Sequence, residues 1–162
     1  MTPYIDASLD ADPSWLALER ITEYAAVLAD VRWAVASHIV FSRAGLVRFS
    51  GVDDVSAALH AVASRFTAFV TVTLGAEGCA WRSGRAIHRY SAPRVAVVDT
   101  FGAGDAFHDA FALAIAEGMP VEDTLAFANA AAALKCARFG GIAGAPTRGE
   151  VYALTAKTKE TS

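Results

Sequence analysis

Gly102 and Gly104 stand one residue apart between a short apolar run, Val97-Val98, and a long stretch with helical apolar spacing. No other feature constrains the fold as tightly. A glycine has no Cβ, so backbone N–H groups can turn toward a common point there. The helix predicted to follow adds its free N-terminal N–H groups and the positive end of its dipole. Together these make a site for a phosphate. Asp105 falls in the first helical turn, where a carboxylate beside a transferring phosphoryl group can accept the proton of an attacking hydroxyl. The same residues also suit a plainer reading, a tight strand-to-helix turn capped by Asp105. Two other phosphate motifs are excluded. A dinucleotide fingerprint needs glycine where Phe107 stands, and no Gly-Lys-Ser/Thr loop occurs in the chain.

The rest of the chain alternates between strand and helix patterns. Asp12 to Ala25 reads as a helix with Asp12 as cap and Pro13 at its first position. Ala26 to Asp30 and His38 to Phe41 read as short buried strands. Gly45 to Ser50 reads as a short helix, and Asp53-Asp54 opens another running to about Phe66. Ala68 to Leu74 is β-branched and aromatic and ends at Gly75, the signature of a strand. Cys79 to Arg82 and Ile87 to Tyr90 form a hairpin pattern around Ser83-Gly84. Helices are predicted after Gly104, from Val121 to Arg138, and from about Thr147, with a glycine-rich loop from Gly140 to Pro146. This order implies an α/β domain with a largely parallel sheet. One junction conflicts with it. Parallel neighbours need a crossover of about a dozen residues, and Asp30 and His38 are closer than that. Either these strands are not parallel neighbours, or a strand-helix unit is missing around Trp33-Ala34; the second reading is preferred.

Composition narrows the function classes. The chain has 162 residues, 54% of them hydrophobic, and 36 are alanine, so small side chains carry much of that apolar fraction. With 19% charged residues and a net charge of -3, it is too apolar for a disordered segment. It is also not basic enough for nucleic acid to be the main partner. Charged residues interrupt every apolar run before membrane-spanning length. Met1 to Asp10 lacks the basic start of a signal peptide. Cys79 and Cys136 make neither a disulfide framework nor a zinc site. A soluble protein of a reducing, cytoplasmic compartment is the expectation.

Asp99-Thr100-Phe101-Gly102-Ala103-Gly104-Asp105 resembles the C-terminal signature of the ribokinase-like (PfkB) carbohydrate kinases. Three further stretches agree in order and spacing. Val72 to Gly78 is similar to the family's strand-to-turn segment at the nucleotide. Phe127 to Leu134 is similar to the helix beside the adenine. Gly140-Gly141 with Pro146-Thr147-Arg148 resembles the closing loop. Leu28 to Trp33, Phe107-His108, Lys135-Cys136 and Gly140 to Gly144 look like the sulfofructose kinase subgroup, and ketohexokinase-like members share Lys135-Cys136.

The resemblance implies a three-layer α/β sandwich with a mostly parallel sheet. It also implies transfer of the ATP γ-phosphate to a sugar hydroxymethyl group, with magnesium. Asp105 would be the general base, and the backbone of Gly102, Ala103 and Gly104 the anion hole. Thr73, Gly75, Gly78, Thr100 and Gly141 would line the nucleotide, and Asn129 would lie near the adenine. A monovalent cation such as K+ would use Asp99, a backbone oxygen at Phe101 and the loop from Lys135 to Gly144. The partner would be a small-molecule sugar, a ketose or sulfoketose if the subgroup holds, with no nucleic acid and no membrane; a homodimer is compatible with it.

Two departures stand out. Asp109 occupies a position where the family carries glycine, four residues after Asp105, so like charges share a helix face and repel. The chain is also short for the family. Residues 1–33 read as a remnant of the substrate-side half, 34–154 as the nucleotide-binding half and 155–162 as a tail, with the lid sheet and one strand-helix unit missing. A catalytically incomplete copy that at most binds nucleotide is the competing reading, and a nucleoside kinase of the same superfamily a third. His38, His60, His88 and His108 form no ligand pattern. Arg82, Arg85, Arg89 and Arg94 read as a solvated hairpin face, with a sugar or sulfonate contact as the alternative. Cys136 and the alanines 130–133 read as packing.

Overall fold

A computed structural model of the chain describes residues 28–29 and 37–160. Five strands make one sheet in sequential order: β1 (Leu28–Ala29), β2 (His38–Ser42), β3 (Phe69–Thr73), β4 (Cys79–Ser83) and β5 (Ala86–Tyr90). The helices are α1 (Arg43–Ser50), α2 (Val55–Ala63), α3 (Ala103–Ala116), α4 (Val121–Cys136) and α5 (Arg148–Glu160). The first three strands run parallel, and β4 and β5 are added antiparallel. The sheet is therefore parallel on one side only. The reasons are local: the two-residue turn Gly84-Arg85, with Gly84 at φ 59°, and the short connection Leu74 to Gly78 between β3 and β4 can each join only antiparallel neighbours.

Period-two burial divides the sheet into two faces. Ile39, Phe41, Val70, Val72 and Ala80 point into one core with Leu46 of α1 and Leu59 and Val62 of α2. Val40, Cys79 and Trp81 point into the other, against Phe107 and Phe111 of α3 and Leu125, Phe127 and Ala128 of α4. Helices thus cover both faces, the expected three layers. α3 buries Phe107, Ala110, Phe111 and Ala114, a single stripe. α4 is buried nearly all round, as a helix lying between neighbours must be. Its alanines let α3 and α5 approach closely.

Several expectations need correction. β1 and β2 are parallel neighbours, with Leu28 opposite His38, so the alternative that they do not pair is overturned. Residues 30–36, which join them and where the missing strand-helix unit was expected, lie outside the described residues. The strand-like run Val97-Val98 is not a strand; Val98 and the following Asp99 instead donate their N–H groups to the Cys136 carbonyl at 2.8 and 3.1 Å, pinning the segment to the end of α4. α2 stops at Ala63 rather than near Phe66, with Ser64 Oγ donating back to the Ala61 carbonyl at 2.8 Å. α5 runs to Glu160, through most of the expected tail. The helix expected over Asp12–Ala25 lies outside the described residues.

Candidate functional site

The start of α3 is built by its glycines. Gly102 adopts a left-handed conformation at φ 77°, which a side chain would strain. Ala103 N–H bonds the Thr100 carbonyl at 3.2 Å, and Ala106 N–H makes the first helical bond, to Gly102 O at 2.9 Å. The N–H groups of Gly104 and Asp105 precede the helical ladder and have no intrahelical acceptor. No side chain caps them. By contrast, Ser42 caps α1 and Asp54 caps α2. A Cβ placed on Gly104 would meet nothing within 4 Å, so the space beside Gly104 is open. Asp105 and Asp109 are both exposed on α3, and neither carboxylate has an ion pair or hydrogen bond among the described residues. His108 Nδ1 lies 2.8 Å from Gly104 O; a carbonyl only accepts, so the ring proton sits on Nδ1.

A second cluster lies behind the turn and is centred on Asp99. Its Oδ1 accepts from Phe101 N at 2.9 Å and its Oδ2 from Gly140 N at 3.2 Å. Lys135 Nζ stands 3.7 Å from Oδ2, and its side chain is only 2% exposed. The Phe101 N–H, then that of Gly140 and the Lys135 ammonium, hold the Asp99 carboxyl below its ordinary value. One carboxylate thus ties the glycine turn to the loop after α4. Gly141 joins the same cluster: a Cβ there would be 3.6 Å from the Phe101 ring. Phe101 itself is 75% exposed.

The remaining site residues are placed elsewhere. Thr73, Gly75 and Gly78 belong to the β3–β4 connection at the carboxyl end of β3, the edge where open α/β sheets take their ligands. Thr73 Oγ1 donates to Phe41 O at 3.4 Å. Gly78 is fixed by packing: at φ 94°, a Cβ would lie 1.9 Å from Tyr90 O. Asn129 is not brought to an open surface. Its amide is buried and donates to Cys79 Sγ at 3.1 Å and Leu125 O at 2.8 Å. Burial pushes the Cys79 thiol up to about 11, so it is an inert packing group. Arg85, Arg89 and Arg94 are exposed and Arg82 half-buried. Lys135 was legible only as a motif residue; a lone lysine in the otherwise apolar run Ala130–Cys136 was the available signal.

The sequence profile of the pfkB family carbohydrate kinases matches residues 6–148. This chain belongs to that family. It is 43% identical to the ribokinase of Bacillus subtilis (strain 168) over 89 residues, 55% of this chain and 30% of that one. The structure resembles Arabidopsis thaliana ribokinase complexed with ribose and ATP, at TM-score 0.68 and 34% identity, covering 75% of this chain and 41% of that one. A fructokinase double mutant from Vibrio cholerae O395, in a form with fructose, ADP and potassium ion bound, matches at TM-score 0.69 and 26% identity. That match covers 75% of this chain and 41% of the other. The chain therefore spans under a third of the Bacillus relative and about two fifths of these structures. The family's ribokinase-like fold is thus present in part, and no helix among the described residues is long and apolar enough to cross a membrane.

Proposed function

We propose that this chain carries the nucleotide side of an ATP-dependent sugar kinase. The observation that supports it most is the uncapped, open N-terminus of α3, with Gly102 at φ 77° and free space over Gly104. The backbone of Gly102, Ala103 and Gly104 would form the anion hole, with the Ala103 N–H held by the Thr100 carbonyl and the N–H groups of Gly104 and its neighbour Asp105 left to meet the γ-phosphate, their dipoles fixed before the substrate arrives. Asp105 would take the proton from a sugar hydroxymethyl group as its oxygen bonds to the γ-phosphorus and ADP leaves. Thr73, Gly75 and Gly78 would flank the nucleotide from the β3–β4 connection, with Thr100 and Gly141 on the glycine-turn side. Asn129 would act near the adenine only through the packing of α4. Magnesium would arrive with ATP; the described residues hold no cluster of three His, Cys, Asp or Glu side chains.

The resemblance of the Lys135-Cys136 and Gly140 to Gly144 stretches to sulfofructose kinases supports a ketose or sulfoketose as the substrate class to try first. A second reading has its own support. The chain covers under half of the solved relatives, and Asp109 places a second carboxylate on the Asp105 face. It would then bind nucleotide without turnover. A coupled assay over a sugar panel separates the two. The kinase reading expects turnover that Asp105→Asn lowers by about two to four orders of magnitude, with ATP affinity kept. ATP binding without turnover on any sugar favours the second.

A further inference from the structure

We propose that Lys135 is a built-in cation for this site, holding Asp99 and the glycine turn in place without a monovalent metal ion. The inference deepens the kinase reading, since it concerns the same turn, but its support and its test are independent of turnover.

Lys135 is the one charged residue among the buried polar side chains of the described residues. A buried ammonium is costly unless paired. Its partners are Asp99 Oδ2 at 3.7 Å and the Arg138 carbonyl at 3.4 Å. Its stem fills the space between two loops. Cε lies 3.8 Å from where a Gly102 Cβ would stand, and Cδ lies 3.4 Å from the equivalent point on Gly144. Lys135 also occupies the last turn of α4, where the helix dipole favours positive charge.

A monovalent cation at Asp99 does not fit this arrangement. Oδ1 is engaged by Phe101 N–H, and Oδ2 by Gly140 N–H with the ammonium beside it. A metal ion on Oδ2 would face a second positive charge at close range in a partly desolvated place. The ammonium cannot swing to water from 2% exposure without opening the loops packed on its stem. Lys135 is thus a positioning residue: it neutralises Asp99, which in turn fixes the backbone of Phe101 and Gly140.

The test measures thermal midpoints in potassium chloride and in tetramethylammonium chloride at equal ionic strength. The wild-type chain is expected to show no potassium-specific difference. Lys135→Met removes the resident charge, so it is expected to gain a saturable potassium-specific rise of roughly 2–4 °C. A potassium-specific rise in the wild type overturns the proposal, and so does a folded Lys135→Met that is indifferent to potassium. If the variant does not fold in either salt, titration of the wild type with thallium(I), followed by thallium NMR, decides. Absence of a saturable site supports the resident ammonium, and a saturable site overturns it. None of these measurements needs a sugar or a reaction, so failure of the kinase reading leaves them valid.

Discussion

At the scale of single residues, two glycines that look alike in sequence differ in cause. Gly78 has no room: its Cβ would collide with the backbone at Tyr90 and Ala92, at a φ that side chains avoid. Gly78→Ala should therefore destabilise the chain by at least about 2 kcal/mol, read as a lowered denaturation midpoint. Gly104 has nothing beside it, so Gly104→Ala should leave stability level or raise it by up to about 1 kcal/mol. The sequence showed both glycines and their order. It could not show which was required by packing, because that depends on β5 folding back over the β3–β4 turn. The burial of Asn129 was hidden for a related reason: the resemblance set it near the adenine, and only the meeting of α4 with β4 shows that its amide is held by Leu125 O and Cys79 Sγ. Asp109 tests the other departure. With its carboxylate one turn beyond Asp105, Asp109→Gly should raise kcat in the sugar assay if that charge impedes the base. Unchanged kcat in a folded variant would remove Asp109 from the account.

At the scale of elements, the helices were legible because caps and periodicity are local. α5 shows this best. Thr147 and Glu150 cap each other's backbone, with Thr147 N donating to Glu150 Oε2 at 2.7 Å and Glu150 N to Thr147 Oγ1 at 3.4 Å. Arg138 pairs with the same carboxylate. The Arg138 guanidinium and the Thr147 donors bring the Glu150 carboxyl down to about 2 from an ordinary 4.5. A carboxylate lowered in the folded state stabilises above its unfolded value and loses that contribution as pH falls through the folded one. The thermal midpoint should thus decline as pH falls from about 4.5 toward 2, and Glu150→Gln should flatten that part of the profile. An unaltered profile in the variant would assign the acid sensitivity elsewhere. Strand pairing was less legible. Val97-Val98 has strand composition but is bonded to the end of α4, a long-range contact that no window of sequence displays. The hairpin was read correctly because its Gly84 turn is local.

At the scale of the whole molecule, helices on both faces of the sheet bring the α3 N-terminus and the loop after α4 to one place, joined through Asp99 and Lys135. The fold class followed from the alternation of strands and helices. The pairing of that hairpin with β3 and the buried ion pair did not, since both depend on which elements meet. The central claim is that this assembled turn is a phosphate cradle. Calorimetric titration of ATP with magnesium into the wild-type chain and into Gly104→Ala tests it most directly. The account predicts saturable binding to the wild type and a loss of tenfold or more, about 1.4 kcal/mol, in a variant of undiminished stability. No binding to the folded wild type, or equal binding by both proteins, would contradict it.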